Sequence, residues 1–263
     1  MEAELQSEIL KSLETQKCKC SVVVLDECKS TNDEAKTLLE SGNMPFVVVA
    51  KKQTSGRGRM QRTWFSKEGA SICMSVGFDM QGVSSDLLAS ATVRAGIEVC
   101  KRLSEVCKEK LFLKWPNDIY SRDGRKIAGM LAELTQVNNG YNIIFGIGIN
   151  YDLSDCLSEI PSEISDKVAD IRSILKTDKS IATIIAITTK AIVNALSQKD
   201  LSSLSEFEKF DWLFNKNVDV VVGAENFLGI AQGINEYGNL LVRLPDNSIK
   251  VVNSGEATFH KEK

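Results

Sequence analysis

Six apolar, strand-like runs crowd the stretch from Val22 to Asn150, and two helical patterns are all that interrupts them. VVVLDE (22–27), FVVVAKKQT (46–54), SICMSVGF (71–78), LFLKW (111–115), KIAGMLAEL (126–134) and YNIIFGIGIN (141–150) are β-branched or alternate large with small residues. That spacing suits strands, whose side chains point to two faces in turn. The first helical pattern is STNDEAKTLLESG, with Thr31 and Glu34 as a capping box, Ala35, Leu38 and Leu39 on one side, and Gly42 as the stop. The second runs from Ser85 to Val106 with Leu88, Ala91, Ala95, Val99, Leu103 and Val106 in phase, about six turns. The last three runs follow without a helix between them, and an Asp123-Gly124 turn signal divides the fourth from the fifth.

Further on, Ile164 to Leu213 reads as three helices, the middle one, Ile181 to Leu196, being the most apolar. Beyond Asn215 the character changes to short, closely spaced β runs: VDVVVG, FLGIAQGI, LLVRL, IKVV and ATF. This predicts a small all-β barrel and a division into residues 1–215 and 216–263. A chain of 263 residues is long enough for a full core in the larger part.

Charge and composition exclude several functions. A net charge of -3 argues against a chain that lives on nucleic acid, which needs a basic face. About twenty residues precede the first strand, too few for a three-helix DNA-binding domain. The start, MEAELQSEIL, lacks the basic and apolar parts of a secretory signal, and the most apolar stretch is too short and polar to span a bilayer. These readings point to a cytoplasmic protein. Seven cysteines, an odd number without an export signal, do not suggest a disulfide framework, and a single histidine, His260, leaves no zinc set.

Within this mildly acidic chain, GRGRMQR (56–62) packs three arginines and two glycines into seven residues with no acid among them. Gly56 and Gly58 let such a loop bend and present its charge to a small anion, an arrangement expected to be mobile when empty and ordered by ligand. Gly146-Ile147-Gly148-Ile149-Asn150 lacks the third glycine and the following helix of a dinucleotide fingerprint. No GxSxG elbow exists, and the lone histidine lies three residues from the end, so no serine or cysteine has a base beside it. Chemistry here would work by positioning and charge, through Arg57, Arg59, Arg62, Lys114 and Lys126. In KWPND (114–118), Pro116 interrupts a strand, so Trp115 packs while Asn117 and Asp118 turn toward a cleft, or the five residues form a plain turn.

Taken together and in order, QTSGRGRMQRTW, KWPNDIY, KIAGML and GIGIN resemble the biotin-protein ligases, or holocarboxylase synthetases, over Val22 to Tyr151. The β-rich tail is similar to that family's small C-terminal domain. The resemblance implies an α+β fold: a mixed, largely antiparallel sheet with flanking helices, of the class II synthetase-like kind, followed by an SH3-like barrel. It implies two reactions, ATP-dependent activation of biotin to biotinyl-5'-AMP and transfer of biotin to a lysine of a biotin carboxyl carrier domain. No repressor function is expected, nor a DNA or membrane partner, and the protein would be a monomer or homodimer.

By the same resemblance, Ser30, Thr31, Asn32, Gln53, Gly56, Arg57, Arg59, Lys126, Gly129 and Gly146 would contact biotin. Arg59, Arg62, Trp64, Lys114, Asn117, Lys126 and Asn150 would contact ATP or the adenylate, with the Trp64 indole offered to adenine. Lys126, Arg59 and Asp118 would be catalytic, and Asp118 would also ligate Mg2+. The alternative is a lipoate or octanoate ligase or transferase of the same fold. A more remote one, a non-catalytic anion- or RNA-binding module, fits poorly because the tail holds few aromatics and mixed charge.

Overall fold

The computed structural model describes residues 2–39, 42–137 and 140–260. Among the described residues, twelve strands form two sheets. The larger sheet contains β1 (Ser21–Cys28), β2 (Phe46–Gln53), β3 (Ser71–Asp79), β4 (Phe112–Lys114), β5 (Asp118–Tyr120), β6 (Lys126–Val137) and β7 (Gly140–Asn150), in the order β1-β2-β3-β7-β6-β5-β4. Only β1 and β2 are parallel. Between them runs α2 (Thr31–Leu38), the crossover that parallel neighbours need. The result is the mixed, largely antiparallel sheet expected from the resemblance.

Period-two alternation sorts the strands' side chains onto two faces. Val47 and Val49 join the main core beneath α1 (Glu2–Thr15), α4 (Ala91–Val106) and α6 (Ile181–Leu196). Their neighbours Phe46 and Val48 pack on the opposite face with Ala35 and Leu39. That second face carries the candidate site. α1 was not anticipated, although Leu5, Ile9 and Leu13 recur at helical spacing and both Ile9 and Leu13 are buried.

The long helix expected over Ser85–Val106 is two: α3 (Ser85–Ala89) and α4, meeting at Ser90. The Ser90 hydroxyl donates back to the Asp86 carbonyl at 2.7 Å, a bond that bends helices. Buried Arg94 holds the corner by donating to the Leu87 and Ala195 carbonyls. Of the three helices expected over Ile164–Leu213, α6 is long, whereas α5 (Ser162–Ser165) and α7 (Phe207–Phe210) are single turns. Asp170 and Asp200 instead accept from the backbone N–H of Ser173 and Ser202, local bonds that compete with helix.

The smaller sheet is wholly antiparallel: β8 (Asn217–Val222), β9 (Glu225–Ile234), β10 (Leu240–Arg243), β11 (Ile249–Val252) and β12 (Glu256–Phe259), in the order β11-β10-β9-β8-β12. It is tied to the larger sheet by Trp115, whose Nε1 donates to the Gly238 carbonyl at 3.0 Å. Among the described residues, no helix is long and apolar enough to cross a membrane.

Candidate active site

A cavity of about 530 Å³ opens on the second face of the larger sheet. Its floor is made where strand register sets small residues side by side. Gly146 lies opposite Ser75 and Leu131, and Gly148 lies opposite Cys73 and Gly129. A Cβ on Gly146 would sit 2.2 Å from Asn32 Oδ1, and one on Gly148 would sit 2.3 Å from Trp64 Cε2. GIGIN is thus a bare strip on which an amide and an indole rest, not a phosphate loop.

At one end of the floor the start of α2 supplies Ser30, Thr31 and Asn32, all buried yet on the cavity wall. The capping box expected from Thr31 and Glu34 does not form; Ser30 is the N-cap, and its side chain makes no capping bond. The Thr31 hydroxyl is engaged elsewhere, 2.7 Å from Ser75 Oγ and 3.1 Å from Gln53 Oε1. The Thr31 backbone N–H also donates to Gln53 Oε1, at 2.7 Å. Ser75 Oγ reaches Asn32 Oδ1 at 2.6 Å, and Asn32 Nδ2 donates to Glu133 Oε2 at 2.5 Å. This end is a satisfied network of neutral polar groups with its last carboxylate outside the cavity.

At the other end the cations gather. Lys126 Nζ is 2.8 Å from Asp118 Oδ1 and 5.7 Å from the centre of the Trp64 ring. Its backbone carbonyl accepts from Asn150 Nδ2 at 3.1 Å, and the same amide donates to the Ala169 carbonyl. Asn150 therefore reaches the wall with its amide hydrogens spent on holding Lys126 in place. Lys114 is 8% exposed, and burial pushes its ammonium below the ordinary lysine value, with Asp118 and Glu256 acting against the shift. Burial likewise pushes Arg59 down. A desolvated cation attracts an anion more strongly than one in water does.

The arginine loop closes the cavity as a small hairpin, with Arg57 bridged to Thr63 and Gly58 N–H donating to the Arg62 carbonyl at 2.7 Å. Its bend differs from expectation. Gly58 has φ -105, whereas Met60 and Gln61 take left-handed φ of 53 and 58, a conformation that costs non-glycine residues about 1 kcal/mol each. Gly56, expected to touch biotin, is not on the cavity wall; a Cβ there would lie 2.9 Å from Gln53 Nε2 and 3.0 Å from the Trp64 carbonyl oxygen. Close packing against the loop's own base explains that glycine. Each arginine has a protein partner: Arg57 makes a two-pronged pair with Asp33, and Arg62 one with Glu256. Arg59 donates to Asn117 Oδ1 at 3.1 Å and to the Gly255 carbonyl at 2.9 Å.

All the other expected site residues, from Ser30 to Asn150, line this one cavity. Residues 24–150 match the model of the Biotin/lipoate A/B protein ligase family, and 213–259 match that of the Biotin protein ligase C terminal domain. The bifunctional ligase/repressor BirA of Escherichia coli (strain K12) is 31% identical over 244 residues, 91% of this chain and 74% of that protein. The chain belongs to the biotin protein ligase family. A biotin--[acetyl-CoA-carboxylase] ligase of Mycobacterium tuberculosis is 26% identical over 217 residues, covering 80% of this chain and 77% of that protein. Among solved structures, the biotin protein ligase of Aquifex aeolicus in complex with biotin and ATP superposes with a TM-score of 0.74 at 28% identity, over 92% of this chain and 99% of that one.

Within this family frame the sequence reading missed wall residues that carry no motif. Glu256 and Thr258 reach the cavity from β12, more than 100 residues beyond the last motif, and Lys167 and Val168 from the segment after α5. Lys167 and Val168 had a faint signal, a lysine beside an apolar residue in a short turn. Glu256 had none, because a single glutamate at a strand start is ordinary.

Proposed function

We propose that this protein activates biotin with ATP and transfers it to a lysine of a biotin carboxyl carrier domain. One observation carries the reading: a single chamber with neutral hydrogen-bonding groups at one end and a cluster of cations, buried Lys114 among them, at the other. Biotin has that polarity, a neutral ureido ring and a carboxylate tail. Thr31, Ser30 and Gln53 face the ring, the Gly146–Gly148 strip lies under its body, and Lys126 meets the carboxylate.

In the first step a biotin carboxylate oxygen bonds to the α-phosphorus of ATP while the bond to the β-phosphate oxygen breaks, giving biotinyl-5'-AMP and pyrophosphate. Two anions must approach, so cations that offset their repulsion and the charge gathering at phosphorus lower the barrier. Lys126 and Lys114 serve there, with Arg59 and Arg62 closing over the phosphates after exchanging Asn117, Gly255 and Glu256 for ligand oxygens. Trp64 and Asn150 stand on the nucleotide side. In the second step the carrier lysine amine bonds to the biotinyl carbonyl carbon, the acyl–oxygen bond breaks, and AMP leaves. Asp118 is placed to take the amine proton once Lys126 has turned to ligand. A closed loop keeps water from the anhydride.

Magnesium would supply further neutralisation of the phosphates. Among the described residues, no group of three or more His, Cys, Asp or Glu side chains could hold a resident ion. Asp118, the carboxylate expected to bind it, is in contact with Lys126. These residues fit an ion carried in on phosphate oxygens and waters, with Asp118 as a single protein ligand. The acceptor is a carrier domain of a biotin-dependent carboxylase, and the setting is the cytoplasm.

The lipoate alternative shares the catalytic family model, but biotin enzymes supply the C-terminal match and the relatives named above. Thermal denaturation separates the two. Biotin at 100 times its dissociation constant should stabilise the protein by about 2.7 kcal/mol, and lipoic acid should not. Stabilisation by lipoic acid alone would reverse the assignment.

A further inference from the structure

We propose that a second, smaller cavity is the port through which the carrier lysine reaches the acyl adenylate. The proposal rests on the biotin reading above and adds to it the place where the second substrate's side chain enters.

This cavity measures about 180 Å³ and lies among α3, α4, β6 and two turns of the smaller sheet. Sites for drug-sized ligands hold roughly 300–1,000 Å³, so the space suits a single chain of atoms and not a nucleotide. Val93, Met130 and Ala132 give it apolar sides, while exposed Asn253 and Ser254 stand at its rim. The four-carbon stem of a lysine packs well on such sides. Arg59, Trp115, Pro116, Asn117, Met130 and Leu131 line the smaller and the larger cavity alike, so the two lie back to back. Arg59 and Asn117, joined at 3.1 Å, form part of the partition. Beyond it, in the larger cavity, Asn117 Nδ2 is 3.2 Å from Asp118 Oδ1, the carboxylate placed to take the amine proton. On the mechanism above, Arg59 gives up Asn117 for ligand oxygens, so the adenylate itself draws the guanidinium out of the partition.

Access and charge both favour a lysine as the occupant. The arginine hairpin closes the larger cavity over the reactive anhydride, and a carrier entering by that mouth would have to lift the loop and admit water. A separate narrow port admits the amine under a closed loop. Among the described residues, no acidic side chain lines the smaller cavity, and Arg59 is the one cation there. An ammonium entering it loses water and meets like charge, and both favour the neutral amine. The neutral nitrogen then bonds to the biotinyl carbonyl carbon, its proton passes to Asp118, and the acyl–oxygen bond breaks to release AMP.

Thr92, half-buried on α4, and Ala89, exposed at the end of α3, line the smaller cavity and not the larger. Thr92→Phe fills the port from its side, Ala89→Trp fills it from the rim, and Thr92→Val keeps the shape as a control. The rates to compare are biotin-dependent exchange of labelled pyrophosphate into ATP, biotin transfer to a carrier domain, and reaction of the enzyme-bound adenylate with 1-aminobutane. That amine has the lysine chain without the carrier's body. Both filling variants should leave pyrophosphate exchange near the parent rate and slow carrier transfer and the 1-aminobutane reaction together, by about tenfold or more. Thr92→Val should match the parent in all of them. Thermal melts verify folding, and Ala89→Trp stands in if Thr92→Phe unfolds. Loss of carrier transfer with an unchanged 1-aminobutane reaction would make the cavity a docking surface and overturn the port, as would unchanged transfer in a folded variant. An adenylate on the unsubstituted protein that does not react with 1-aminobutane would count against the port equally. Absence of biotin-dependent pyrophosphate exchange in the unsubstituted protein would instead overturn the reading on which the proposal rests.

Discussion

Lys126 is held at two points: Asn150 fixes its backbone, and Asp118 fixes its ammonium at 2.8 Å. In the mechanism proposed above, this ammonium leaves Asp118 for the ligand carboxylate and phosphate, where a positive charge offsets the negative charge that builds. Lys126→Ala should slow biotin-dependent pyrophosphate release by about 100-fold or more, with little change in thermal midpoint. Pyrophosphate release near the parent rate would remove Lys126 from the chemistry. The loop glycines give a second residue-level contrast. Gly56→Ala must push aside the Trp64 carbonyl and Gln53, so it should cost about 1–3 kcal/mol in chemical denaturation. At Gly58 a Cβ finds its nearest neighbour at 3.6 Å and an ordinary φ, so Gly58→Ala should stay within about 0.5 kcal/mol of the parent. Equal costs at the two positions would contradict the packing explanation.

Among the elements, the segment joining the two sheets deserves its own test. Trp212 packs against Phe112 and Tyr120 and donates its backbone N–H to the Leu113 carbonyl, clamping the segment to the β4–β5 edge. Beside it, burial pushes the Asp211 carboxyl from 3.8 up to about 6, against the Leu213 N–H and Lys216. The folded chain thus binds more protons than the unfolded chain between those values, and stability falls as pH rises from about 4 to about 6 and then levels. The loss is of the order of 3 kcal/mol, and Asp211→Asn should abolish this step in a pH series of denaturant melts. A step of the same size in the variant would assign it elsewhere. The elements also divide by how legible they were. All six long apolar runs are strands because alternation is a local property of the chain. The β5 strand was missed because three residues after a proline carry too little pattern. The break at Ser90 depends on Arg94 reaching Ala195, about 100 residues away, which no local window contains. The Thr31 capping box failed for the same reason: a hydroxyl from another strand, Ser75, was the better partner.

For the molecule as a whole, the two sheets share one site. Motif spacing led to the cations and the polar ring end because those residues sit on strand ends and turns of the larger sheet. It did not lead to the contribution of the smaller sheet, where Gly255 and Glu256 hold Arg59 and Arg62. The arginine loop that stood out as unpaired charge is fully partnered in this structure, by Asp33 on one side and by the C-terminal unit on the other. On the proposed mechanism, an anionic ligand that draws in Arg59 and Arg62 exchanges their contacts with Gly255 and Glu256 for its own. The central claim, that this chamber joins biotin to ATP and then to a carrier, is tested most directly by intact mass spectrometry of a purified biotin carboxyl carrier domain after incubation with the protein, biotin, ATP and magnesium. The account predicts one added biotin per carrier, dependent on ATP and lost when the carrier's acceptor lysine is changed to arginine. An unmodified carrier, or one that takes lipoate in place of biotin, would contradict it.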